Sequence, residues 1–134
     1  MIRPQYHFRQ GRTGLKAWNV AHLIHLSTAL PVIEVPLAEI AELDETYWRG
    51  AGGRGPTVRE IAEHARLLSS ADLAFPILLC SNRRVMDGMH RIARCFLEGR
   101  SHISAKVFPR TPAPDFDPAD PAMLSYDPAD FALS

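Results

Sequence analysis

The residues best suited to chemistry stand together at Asp87-Gly88-Met89-His90-Arg91, where the apolar pair Val85-Met86 gives way to a segment of helical spacing. A strand that runs through Asp87-Gly88 straight into a helix brings unbonded backbone N–H groups and the positive end of the helix dipole to a sheet edge. Gly88 allows the backbone to come close to a ligand. Positions 87, 90, 91 and 94 share the helical face opposite Met89, Ile92, Ala93, Phe96 and Leu97, so His90, Arg91 and Arg94 are expected to address one volume. Arg91 suits bidentate bonding to phosphate oxygens, His90 can donate one bond or titrate, and Asp87 can hold a metal or accept a proton. The plain alternative is an amphipathic helix with Asp87 as its N-cap and a solvated polar face. Spacing alone leaves both readings open.

The elements that must position this turn are legible on either side. Phe75-Pro76-Ile77-Leu78-Leu79-Cys80 is a continuous apolar run that predicts a buried strand, Ser81-Asn82-Arg83-Arg84 turns the chain, and Val85-Met86-Asp87 returns it as a hairpin. Gly99 stands where a helix from Met89 needs a left-handed terminal residue, and Ile103 to Phe108 predicts another strand. Upstream, Tyr6–Arg9 and Leu15–Trp18 flank a glycine-bearing turn, and Asn19 can cap a helix from Val20 to about Thr28 that ends by Pro31. Val32 to Val35 is β-branched and closed by Pro36, and a short helix is expected over Leu37, Ile40, Ala41 and Leu43. Residues 47–56 carry too many glycines for regular structure and read as a flexible loop. Thr57 with Glu60 forms a capping box, and Val58, Ile61, Ala62, Ala65 and Leu68 make an apolar stripe expected to be the buried side of that helix. Beyond Pro109, prolines recur among Asp residues and predict a loose or extended tail, with Tyr126 and Phe131 as pins to the body.

A length of 134 residues sets one domain as the expectation, and 46% apolar with 22% charged residues is the composition of a folded globular chain. Fifteen Lys and Arg balance fifteen Asp and Glu, so no global field draws in nucleic acid or an acidic membrane. Cys80 and Cys95 lack metal or redox spacing, which fits a reducing cytoplasm, and no apolar run suits a signal peptide or membrane span. Gly50-x-Gly52-x-x-Gly55 matches a dinucleotide fingerprint in letters only, since no strand leads into it and Pro56 precedes the helix. His22 and His25, with His64 or His7, lack a Cys or carboxylate at recognisable metal-site spacing and are read as solvated or hydrogen-bonded. Trp18, Tyr47 and Trp48 are read as core and loop anchors, without the basic residues a base-stacking platform needs.

The order of these elements, with Val85-Met86-Asp87-Gly88-Met89-His90-Arg91 at its centre, resembles the ParB/sulfiredoxin-like fold over roughly residues 31–108. The turn looks closest to the branch that includes free serine kinases, whose Asp-Gly-His-His-Arg turn contributes to phosphoryl transfer; here Met89 replaces the first histidine. ParB N-terminal domains carry a related Gly-Glu-Arg-Arg turn against a nucleotide triphosphate, and the whole chain resembles bacterial ParB-like proteins. Sulfiredoxins place their catalytic cysteine in a Gly-Cys-His-Arg turn, so Met89 argues against sulfinic acid repair. No helix-turn-helix region follows the core, which argues against a full partition function. The resemblance further implies an acidic residue after the first core strand, with Glu39, Glu42, Asp44 and Glu45 as candidates.

The expectation is therefore an α/β domain with a small mixed sheet and packed helices at 31–108, an N-terminal hairpin and helix extension at 1–30, and a Pro/Asp-rich tail at 109–134. Its expected role is nucleotide or phosphometabolite binding, with Gly88, Met89, His90, Arg91 and Arg94 at the phosphate. If the chain is catalytic, ATP-dependent phosphoryl transfer or nucleotide hydrolysis with Mg²⁺ follows from the resemblance, with Asp87 and His90 as the reacting residues. The alternatives are a non-catalytic nucleotide-sensing or protein-interaction module, a homodimer among its forms, and a ParB-like DNA-associated protein, which net neutrality disfavours.

Overall fold

The computed structural model describes residues 5–48 and 54–125. The middle of the glycine-rich loop and the pins Tyr126 and Phe131 lie outside the described residues. Among the described residues, six strands and three α-helices follow in the order β1 (Tyr6–Gly11), β2 (Gly14–Asn19), α1 (Val20–Leu26), β3 (Ile33–Pro36), α2 (Val58–Ser70), β4 (Ile77–Leu79), β5 (Val85–Asp87), α3 (Met89–Leu97) and β6 (His102–Val107). β1 and β2 form an antiparallel hairpin, and the other four strands form a mixed sheet in the order β3-β6-β4-β5. Among the described residues only the β4–β6 pair is parallel, with Leu78 opposite Lys106, and α3 lies on the chain between those strands.

Both faces of the sheet are buried, which is why its central strand reads as an unbroken apolar run. Ile77 and Leu79 point to one face, where Val35, Val85, Ile92, Cys95 and Ala105 complete a cluster under α3. Leu78 and Cys80 point to the other, where they meet Trp18, Leu23, Met86 and Phe108. The hairpin and α1 thus cover the second face of the sheet. The result is three layers, α3 on one side, the sheet in the middle, hairpin and α1 on the other.

Local chemistry sets the ends of each helix. Asn19 accepts from the His22 N–H at the start of α1, and Thr57 and Glu60 form the full capping box of α2. α3 ends in a Schellman motif: Gly99, at φ 74°, bonds Phe96 O, and the Arg100 N–H reaches Cys95 O at 3.1 Å. Three sequence expectations change. The segment after β3 is two 3-10 turns, Leu37–Glu39 and Ala41–Asp44, rather than one short helix. In α2 no residue is buried: Val58 and Ile61 are exposed, and the partly covered positions are Glu60, His64 and Leu68, four residues apart. This helix leans on α3 along a flank of its apolar stripe because polar bonds fix its rotation. In α3 the third core residue is Cys95, while Phe96 and Leu97 are exposed, so the buried line is Met89-Ile92-Cys95. The segment after Pro109 is extended, in line with its composition, and is tethered: Ala17 pairs with Phe116, the Trp18 indole N–H donates to Pro112 O at 2.9 Å, and Asp115 binds the Asn19 amide at 2.8 Å. Backbone bonds to a neighbouring strand satisfy much of this proline-rich stretch, which forms only one 3-10 turn, Pro121–Met123, among the described residues.

Candidate functional site

β5 delivers Asp87 to the sheet edge and Gly88 turns the chain into α3 with φ 107° and ψ 22°. Gly88, rather than Asp87, is the N-cap, and no side chain caps the helix. A methyl group at Gly88 would stand 2.6 Å from Ile77 Cγ2, inside a fully buried strand, so both the dihedral and the space require glycine. Gly88 and the uncapped first turn of α3 border a cavity of about 850 Å³. Asp87, Gly88, Met89, His90 and Arg91 line one wall. The rest of its lining comes mainly from the end of α1 (Ile24, Ser27, Thr28), the end of α2 (Leu67, Ser70) with Ala71 and Asp72 beyond it, the approach to β4 (Phe75, Pro76) and Lys106 of β6. Ile24, Leu67 and Phe75 are all exposed large apolar side chains, which makes this cavity partly apolar.

Arg91 is committed before any ligand arrives. Its Nη2 pairs with Asp87 at 2.7 Å, both side chains largely covered, and its Nη1 donates to the Phe75 and Pro76 carbonyls at 3.0 and 2.8 Å. This leaves two of its five N–H donors for an anion. Lys106 donates to Ser27 O at 3.1 Å at the C-terminal end of α1. Arg94 does not line the cavity; it donates to Ser69 O and Ala71 O, closing the carbonyl end of α2, and pairs with Glu98. The structure thus gathers Asp87, Gly88, Met89, His90 and Arg91 at one cavity and places Arg94 at the α2–α3 seam.

His90 sits in a cluster that spacing did not reveal. Its Nε2 lies 2.8 Å from His64 Nδ1 on α2, and both imidazoles stack on the Trp48 indole, with centroid distances of 4.4 Å to His64 and 4.7 Å to His90. Burial, and secondarily the neighbouring His64, hold His90 below the ordinary imidazole range. A sequence signal existed for His64, since Glu60, His64 and Leu68 form an i, i+4 row, but the apolar stripe beside it looked stronger. The sequence marked Trp48 as a core or loop anchor, which its packing against the core agrees with, but not as a partner of the histidines, because that contact depends on where the 41–48 segment folds back.

Of the four acidic candidates after β3, Glu42 alone is buried. Its Oε2 accepts the Val85 amide at 2.7 Å on the open edge of β5 and lies 3.4 Å from Arg84 Nε, while Oε1 has no partner. Arg84 grips Glu45 with two bonds, and neither these residues nor Glu39 and Asp44 line the cavity. Glu42 protects an edge strand here. Among the described residues no three His, Cys, Asp or Glu side chains converge to hold a metal ion, and the Asp87 carboxylate faces a guanidinium. The donor set does not fit a protein-built Mg²⁺ site. No helix among the described residues is long and apolar enough to cross a membrane.

With this geometry in hand, comparison with known proteins adds no relative: no family model, no curated protein and no solved structure matches the chain.

Proposed function

We propose that this chain binds a phosphate-bearing small molecule, a nucleotide or another phosphorylated metabolite, in the cavity beside the Gly88–Arg91 turn. The observation that carries the reading is the uncapped first turn of α3 in the wall of an 850 Å³ cavity, with Arg91 and Lys106 on its border. Open helix amides and the dipole favour an anion there, and an apolar wall suits the rest of a small organic ligand. The likeness of the turn and element order to the ParB/sulfiredoxin-like fold supports the same reading. In a catalytic form, Asp87 accepts the proton of an attacking hydroxyl or water while His90 and the α3 amides hold the transferred phosphoryl group.

A non-catalytic sensing or interaction module is the second reading, favoured by the exposed Val58 and Ile61 on a helix that buries no residue. The deciding experiment is a thermal-shift series with inorganic phosphate, nucleotides and sugar phosphates, followed by assay of phosphate release from whichever nucleotide binds. A ligand at about 100 times its Kd adds about 2.7 kcal/mol to the folded state, which is a shift of several degrees. The expected result is a rise with at least one phosphate compound that is absent in Arg91→Ala, measured against that variant's own baseline. No rise with any of them at millimolar concentration overturns the proposal. Binding without turnover assigns the non-catalytic form.

A further inference from the structure

His64 and His90 are unlike the other histidines. They come from different helices, meet nitrogen to nitrogen at 2.8 Å and lie together on one indole face. Two neutral imidazoles make that contact only if one donates and the other accepts, so each ring fixes the tautomer of its partner. One added proton can be shared across the bond, whereas two would leave both nitrogens as donors and break it. His90 belongs to the first turn of α3 and lines the cavity, so the pair's charge is felt where an anion would sit.

We infer that His64 and His90 act as one proton-sharing unit and that anion binding at the Gly88–Arg91 turn takes up one proton into this pair. The inference rests on the anion-binding reading above and adds its regulation. Most charged groups around the pair are already committed to partners. Asp87 on β5 is held by Arg91, Arg94 on α3 by Glu98 and the end of α2, and Glu60 on α2 by Thr57 and Arg54. Asp72 and Lys106 border the cavity from beyond α2 and from β6. In the free protein, burial and then the adjacent ring disfavour the cationic form of His90. An anion at the helix start offsets the cost of a cation there, so the bound pair holds a proton that the free pair does not. The proton comes from solvent, and no covalent bond changes.

The test uses sulfate, whose charge is fixed between pH 6 and 8, so that any proton taken up enters the protein. Calorimetry of wild-type protein in buffers of different ionisation heat counts protons directly. The expected result is uptake approaching one proton per sulfate near neutral pH, with affinity weakening up to about tenfold per pH unit as pH rises. His64→Gln, which retains a hydrogen-bonding group but cannot titrate, is expected to bind with a flatter pH profile, and His64→Phe serves if the Gln variant loosens α2. Sulfate binding with equal affinity at pH 6 and 8 and no proton uptake overturns this inference and leaves the anion site standing. Absence of sulfate binding across that range overturns this inference, and the thermal-shift series with phosphate compounds decides the anion site separately.

Discussion

Gly88 joins the fold to the candidate site. Its φ of 107° lies where L-residues are strained, and Ile77, fully buried on the central strand, leaves no room for a methyl group. Gly88→Ala is expected to cost more than about 2 kcal/mol, combining backbone strain with overpacking, and urea denaturation measures it. An unchanged midpoint would show that the turn relaxes freely and that glycine is there for ligand approach alone. Arg91 is the residue whose role the tertiary structure alters most. Its position on the polar face of the helix suggests a free phosphate ligand, whereas its bonds to Asp87, Phe75 O and Pro76 O make it a strut between α3 and the entry to β4. Its loss would leave a largely covered carboxylate without its cation, so the thermal-shift comparison for Arg91→Ala has to be read against its own lowered baseline.

Among the elements, the hairpin and the segment after Pro109 depend on each other. Residues 112–119 give the hairpin the Ala17–Phe116 pairing, the Trp18 indole bond, the Asp115 contacts to Asn19 and His22, and the Ala119 bond to Leu15. A chain ending after Phe108 keeps all six strands and three helices but loses those partners. It is expected to stay folded with a melting temperature several degrees lower, and amide exchange should quicken over Tyr6–Asn19 while Ile77–Leu79 and Ile103–Ala105 stay protected. Uniformly faster exchange in both regions would make the segment part of a single cooperative unit with the sheet. α2 illustrates the opposite case, a helix legible from its capping box whose packing face was not. It buries no residue, and His64 and Arg94 anchor it through polar bonds that no apolar period encodes.

At the scale of the whole molecule, the acid limb of stability has an identifiable source in the hairpin layer. The His7 Nε2 accepts the Arg9 Nε–H at 2.9 Å, and burial followed by the Arg9 charge lowers its pKa from 6.5 to about 4. The unfolded chain therefore binds this proton first as pH falls. The stabilisation is present in full above pH 6.5 and is lost as pH drops toward 4, with His90 adding a contribution of the same sign. Unfolding free energies measured by denaturant from pH 7 to pH 4 should fall through that window, and His7→Gln, which keeps an acceptor without titrating, should flatten the decline. An identical slope in the variant would place the acid sensitivity outside this histidine.

Some of this molecule was determined by order along the chain alone. The hairpin of β1 and β2, the Asn19 and Thr57 caps, the strand at Ile77–Leu79, the turn at Ser81–Arg84 and the Gly99 stop all rest on neighbours within a few residues, where propensity and hydrogen-bond geometry act without help. The candidate turn at Asp87–Arg91 was legible for the same reason. What the tertiary structure alone decided is everything that needs two distant segments to meet. It chose Cys95 over Phe96 as a core residue of α3, turned the apolar stripe of α2 largely to solvent, and set His64 and Trp48 against His90. It also brought the ends of α1 and α2 to face the α3 start across one cavity. Periodicity gives the width of an apolar face, but its rotation against a neighbour is fixed by the few polar groups that must find partners when buried, and those partners lie tens of residues away.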